Sequence, residues 1–365
     1  MDQPNNRCPS AHSRAPCARA LDVGRAVVVI RSSGGRLSVR LDLRSFAVSA
    51  ILLLLIAVVG AVSLSSGKFS IPPADVLRAL LGGGDENIRM VVTEWRLPRL
   101  LLACLLGSAL GLSGAIFQSL TRNPLGSPDI IGFSAGSYTG ALMVILLFSG
   151  GYYQTAGGAL AGGIVTATCV YLLAYRRGVQ GFRLIVIGIG MSAMLGAFNA
   201  WMIRQADLPI AMSAAIWGGG SLNGLSFEQV LPVLAMLVFI TPILAALSRP
   251  LRQLELGDDA ATTSGVNATR LRLLLMILGV ALTALATAAA GPISFISLAA
   301  PQIARRITRT AGVALIPSAL MGALLLAVAD WVAQHAFGVQ LPVGVMTVSI
   351  GGFYFLWLLI REARR

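Results

Sequence analysis

Charge is scarce in this 365-residue chain: 12% of its residues are Asp, Glu, Lys or Arg, against 56% hydrophobic. Soluble domains carry about a quarter charged residues, which excludes an ordinary globular domain and points to a polytopic membrane protein. Histidine is rarer still, and His12 and His335 form no metal or general-base constellation. Four cysteines, Cys8, Cys17, Cys104 and Cys169, show neither metal-ligand spacing nor a plausible pairing. No Gly-x-x-x-x-Gly-Lys-Ser/Thr loop is present, so uphill transport would need energy from elsewhere. Ionisable residues are nearly missing from the apolar runs, whereas proton-coupled carriers keep a carboxylate or histidine near the midplane. Asp330, four residues before Gln334, is the exception; it reads as a helix-packing or interface residue, with a proton relay as the alternative.

What the chain has instead is apolar length. A helix needs about 20 largely apolar residues to cross the hydrocarbon core, and a charge at its centre costs about 2.5 to 3.5 kcal/mol on the insertion scale. Uncharged windows predict spans at 46–64, 100–120, 130–148, 156–175, 184–203, 230–247, 273–290, 293–304, 313–329 and 343–360. The eighth has only twelve residues before Arg305. Threading all ten with the N-terminus inside puts 22 of 28 basic residues in the cytoplasm, leaving Lys68, Arg78, Arg89, Arg96, Arg99 and Arg204 outside. Dropping the eighth span would part Arg305–Arg309 from the C-terminal arginines, against the positive-inside rule. Ten spans with both termini cytoplasmic follow. The net charge of +13 is thereby a matter of membrane orientation, its arginines dispersed through loops rather than gathered for nucleic acid.

Residues 1–45, rich in Arg, Ser, Pro and Ala, lack a signal-peptide pattern and read as an unstructured cytoplasmic extension to a permease domain over 46–365. Between the sixth and seventh spans lies a long cytoplasmic loop, 248–272. Leu254 and Leu256 followed by small residues suggest a short amphipathic helix breaking at Gly265, a natural contact for a soluble partner. Arg99-Leu-Leu-Leu is echoed by Arg272-Leu-Leu-Leu, two copies that would cross in opposite directions as inverted repeats do. Gly107-x-x-x-Gly111 and Gly158-x-x-x-Gly162 read as close-packing helix faces. Arg96 and Arg99, one helical turn apart at a span's mouth, could each take a carboxylate bidentately and orient a partner. Anchoring of a helix end at the interface is the plainer alternative. The turn 123–129 at the other end reads as structural.

Six motifs in order resemble the permease subunits of iron–siderophore and cobalamin ABC importers over residues 46–365: Arg96-Leu-Pro-Arg99, Gly114-Ala-Ile-Phe-Gln118, Asn123-Pro-Leu-Gly-Ser-Pro128, Leu256-Gly-Asp-Asp-Ala-Ala261, Gly291-Pro-Ile-Ser-Phe295 with Ala300-Pro-Gln-Ile-Ala-Arg305, and Leu341-Pro-Val-Gly344. Val92-Thr-Glu-Trp-Arg96, Gln118-Ser-Leu-Thr-Arg-Asn123 and Ser221-Leu-Asn-Gly224 resemble the ferric enterobactin branch. The resemblance implies an all-α, ten-span subunit of type II ABC importer architecture in the cytoplasmic membrane, not itself an enzyme. It would pair with a homologous second permease, as a heterodimer or alternatively a homodimer, and bind two copies of a cytoplasmic ATPase. It would bind no cofactor of its own, ATP and magnesium being held by that ATPase. Cargo would arrive on an extracytoplasmic siderophore-binding protein, docked at Arg96 and Arg99; Gln334 stands where some relatives have a further arginine. Leu256, Gly257, Asp258, Asp259, Ala260, Ala261, Gly265 and Val266 would couple to the ATPase. The implied cargo is a catecholate siderophore, with a hydroxamate, haem or cobalamin as alternatives; lipid is the remaining partner, nucleic acid none. A proton-coupled siderophore exporter or other secondary carrier is the reading from another class.

Overall fold

The computed structural model describes residues 27–31, 38–67, 69–148, 150–175, 181–310 and 312–363. They fall into two units, divided after Ala47. In the first, β1 (Val27–Arg31) pairs antiparallel with β2 (Ser38–Asp42), Val27 opposite Asp42. The expected unstructured extension is corrected for these two segments: the run Val27-Val28-Val29-Ile30 is β-branched throughout and favours a strand. Residues 1–26 and 32–37 of that extension lie outside the described residues.

All other regular elements among the described residues are helical. They are α1 (Leu43–Ser65), α2 (Pro73–Leu80), α3 (Glu86–Met90), a π-helical turn (Val91–Arg96), α4 (Leu97–Thr121), α5 (Phe133–Phe148), α6 (Tyr152–Ala174) and α7 (Gly181–Gln205). Then follow α8 (Leu208–Gly218), α9 (Phe227–Glu255), α10 (Asp258–Thr263), α11 (Ala268–Ala290), α12 (Ile296–Thr308), α13 (Leu315–His335) and α14 (Val343–Ala363). Among the described residues, seven helices are long and apolar enough to cross a membrane: α1, the continuous rod Glu86–Thr121 that ends in α4, α6, α7, α9, α11 and α13. The other three predicted windows also fall on helices, α5, α12 and α14. With 13 residues, α12 is about 20 Å long, shorter than the roughly 30 Å hydrocarbon core. Its first turn is entered from Phe295, held at φ +70. Four short helices, α2, α3, α8 and α10, lie between the predicted spans; of these the sequence suggested only the last.

At the centre stands α4. Its apolar stretch and that of α11 are each 72% buried, whereas that of α7 is 11% buried and leaves most of its surface uncovered. Glycine makes the central contacts possible. A side-chain carbon at Gly107 or Gly111 would collide with backbone of α13 at Gly322 or Ser318, and one at Gly114 with the Ser297 carbonyl of α12. Gly158 and Gly162 of α6 approach Gly140 and Gly136 of α5 in the same way. With no hydrophobic force between helices in lipid, such backbone approach is what gives them packing energy.

The α4–α5 connection is built by distant motifs. Gln118 Nε2 donates to Leu298 O (3.0 Å), Gln302 Nε2 donates to Pro124 O (2.6 Å), and Ser297 Oγ and Ser134 Oγ both donate to the Asp129 carboxylate (2.6 Å each). The expected structural role of the 123–129 turn fits these bonds: its carboxylate and carbonyl lock α12 onto the end of α4.

Candidate functional site

The predicted site residues gather at the two ends of α4. The approach to its first turn is shaped by Pro98, which lacks an N–H and would clash in a regular helix interior. The chain widens into the π-helical turn Val91–Arg96 just before it, as π-turns do where a regular ladder cannot close. Arg96 and Arg99 project from the junction.

Both guanidiniums are held inside the subunit. Arg96 Nη1 donates to Leu64 O (2.6 Å) and Nη2 to Phe69 O (2.7 Å), so it closes the α1–α2 connection. Gly67 leaves room for it, since a side-chain carbon there would press on the guanidinium. Arg99 forms the bidentate fork that its geometry favours: Nε donates to Asp330 Oδ2 (2.8 Å) and Nη2 to Asp330 Oδ1 (2.7 Å), while Nη1 meets Asn223 Oδ1. Gln334 Nε2 donates to the same carboxylate at 2.8 Å. The Arg99 side chain is 14% exposed and that of Asp330 4%. One step along α13, Trp331 Nε1 donates to Ser66 Oγ (2.8 Å) beyond α1. Arg99 therefore ties α4 to α13 and to the α8–α9 loop.

Asp330 and Asn223 were not among the predicted site residues. A carboxylate in an apolar span must be paired, and Arg96 and Arg99 were the basic residues assigned to the same end, so Asp330 could have been nominated as their partner. Asn223 carries no such signal.

At the other end of α4, Arg122 closes the helix in the left-handed region (φ 50). Its Nη2 donates to Leu254 O (2.9 Å) and to Asp258 Oδ1 (2.5 Å), and Arg272 Nη2 donates to the same Asp258 oxygen at 2.6 Å. A short helix, α10, stands in the expected place, but Leu254 and Leu256 lie before it, at the end of α9, and the chain breaks at Gly257, φ 130. It breaks again at Gly265, φ 81, as the sequence suggested.

Of the eight predicted coupling residues, Leu256 is 79% exposed. Asp258, Asp259 and Gly265 are exposed too, while Gly257, Ala260 and Val266 are half-buried. Ala261 is buried and seats α10 on the bundle. The Arg-Leu-Leu-Leu echo is realised spatially: α4 and α11 cross antiparallel, Ser113 Oγ bonding Gly279 O (2.7 Å) and Thr283 Oγ1 (2.8 Å). Arg99 and Arg272 thus sit at opposite ends of the bundle, each on its own aspartate. Among the described residues no group of three His, Cys, Asp or Glu side chains could hold a metal.

The sequence pattern of the FecCD transport family matches residues 53–361. The chain is 50% identical over 324 residues to the ferric enterobactin transport system permease protein FepG of Escherichia coli (strain K12), covering 88% of this chain and 98% of that one. It is 36% identical over 334 residues to the achromobactin transport system permease protein CbrC of Dickeya dadantii (strain 3937), covering 90% and 95%. A solved structure of a metal-chelate type ABC transporter in an inward-facing conformation matches with a TM-score of 0.77 at 27% identity, covering 86% of this chain and 99% of that chain. The chain belongs to the FecCD transport family.

Proposed function

We propose that this FecCD-family chain is the membrane-spanning permease subunit of an ATP-driven importer that carries a ferric siderophore, of the enterobactin-like catecholate class, across the cytoplasmic membrane. The observation that carries the reading is the 50% identity to a ferric enterobactin permease along 98% of that protein. In this reading a second permease completes the pathway, and the sparsely covered α7 is a natural face for it. Two ATPase copies, with ATP and magnesium, take up the cytoplasmic side at α10. The termini lie in the cytoplasm, and a siderophore-binding protein delivers cargo at the opposite, Arg99 end.

Docking there would use Arg96 and Arg99 together. Carbonyls orient the Arg96 guanidinium without neutralising it, and Arg99 is fixed beside it by Asp330, so a partner carboxylate would meet an already oriented positive group at Arg96 rather than a mobile side chain, with less ordering entropy to lose. At α10, Leu256, Gly257, Asp258, Asp259, Ala260, Ala261, Gly265 and Val266 form the proposed ATPase-coupling segment, with Leu256 as its projecting apolar contact. ATP-driven movement of α10 would shift the two permease halves between outward-open and inward-open states. The secondary-carrier reading needs a carboxylate free to exchange a proton in the membrane. Asp330 is committed to Arg99 and is not such a group.

Uptake of radiolabelled ferric catecholates, hydroxamates, haem and cobalamin by a deletion strain complemented with this chain tests the proposal. Catecholate uptake that requires the ATPase is expected. Uptake driven by a proton gradient with purified chain alone would overturn it, and preference for another cargo would correct the substrate class.

A further inference from the structure

We infer that Asp258 is a positioning residue that fastens α10 to the bundle and passes its displacement to α4 and α11. The inference rests on α10 being the ATPase contact proposed above. Backbone alone gives α10 a poor grip. It is six residues long, and the glycines on either side, Gly257 and Gly265, both sit at positive φ with open space around the position a side chain would take. These are the conformations and the freedom that make glycine a hinge. Of the residues within α10 only Ala261 is buried. A push on so short a segment would bend its flanks unless a side chain bridged to something stiff.

Asp258 makes that bridge. One carboxylate oxygen receives Arg122 at 2.5 Å and Arg272 at 2.6 Å, and these arginines stand at the C-cap of α4 and in the first turns of α11, the two helices whose membrane-length apolar stretches are the most buried. Arg122 also holds Leu254 O, at the end of α9 (2.9 Å), so the same guanidinium joins the helix before the hinge to the helix after it. The charge count makes the link sensitive. Two guanidiniums converge on one carboxylate, so neutralising Asp258 removes both attractions and leaves two like charges facing the same point. Two roles are thereby separated along the coupling segment, with Leu256 facing outward toward a partner and Asp258 facing inward to the helices that partner must move.

The test compares Asp258→Asn, Asp258→Glu and Arg122→Gln in the full transporter, reconstituted with its ATPase and binding protein. Three quantities are read: ATPase co-purification, ATP hydrolysis, and siderophore uptake per ATP. Asp258→Asn should lower uptake per ATP about tenfold, within the span of a typical intersite coupling, and Arg122→Gln, which lies outside the coupling segment, should do so with the ATPase still bound and hydrolysing. Asp258→Glu, which keeps the carboxylate, should recover most of that uptake. Arg122→Gln cuts the link from the α4 side and should reproduce the loss, so the test survives if one variant fails to accumulate. Uptake per ATP unchanged in both neutral variants would overturn the inference, as would loss of ATPase co-purification in Asp258→Asn, which would make Asp258 a contact residue. Failure of the unaltered chain to co-purify with the ATPase would instead sink the importer reading beneath it.

Discussion

The two ends of α4 solve opposite problems with the same residue types. At one end a single arginine meets a single aspartate, bidentate and nearly out of solvent, with Asn223 and Gln334 completing the bonds. At the other, Arg122 and Arg272 share one oxygen of an aspartate that is 49% exposed. Charges buried in a one-to-one pair are locked, because separating them strands each in a low-dielectric site. Where two guanidiniums share one half-exposed carboxylate, the attraction is partly screened by solvent, although Arg272 itself is only 12% exposed. The first arrangement suits a fixed pin between α4, α13 and the α8–α9 loop, and the second suits a fastening near the surface that carries the displacement of α10 to α4 and α11.

The largest effect should come from cutting the pin. Asp330→Asn leaves Arg99 buried and uncompensated, and is expected to cost about 3–5 kcal/mol, read as loss of thermal stability in detergent or of membrane accumulation. Replacing both members, Arg99→Met with Asp330→Leu, should recover most of that stability while weakening capture of the siderophore-binding protein. Full stability of the single variant would erase the contrast between the ends. Next in size is the rod that joins them. Gly114→Ala drives a methyl group into the Ser297 carbonyl and should cost about 1–3 kcal/mol through overpacking, by the same thermal measurement. Asp258→Asn should cost about 1 kcal/mol, since Asp258 and Arg122 are half-exposed while Arg272, 12% exposed, loses its carboxylate, and transport per ATP falls. Smallest is the response to salt. At about 0.1 M ionic strength the Debye length is about 10 Å, so raising salt from that level should lower transport per ATP in the unaltered chain and leave the thermal contribution of the Arg99–Asp330 pair nearly unchanged.

Much of this protein was legible one residue after another. Apolar windows located every long helix, the glycine spacings marked the faces where α4 meets α13 and α5 meets α6, and Gly265 ended α10 where expected. The hairpin of β1 and β2 was missed because a short β-branched run inside an Arg- and Ser-rich segment was weighed by composition. The helix α8 was missed because 11 residues are too few to register as a span, although Asp207 followed by Pro209 is a recognisable helix start. The reading of Arg96 and Arg99 as rim charges open to a partner lacked their internal acceptors, which are backbone carbonyls and an aspartate 231 positions away.

By itself the sequence determined that this chain lives in a membrane, how its apolar segments divide, and which family it resembles, because hydrophobic length and motif order are local properties that no partner can change. Tertiary structure alone decided what the charged residues do. An arginine's role depends on which acceptor the fold brings within about 3 Å. Along α4 that choice made Arg99 a buried pin and Arg122 half of a shared, exposed joint.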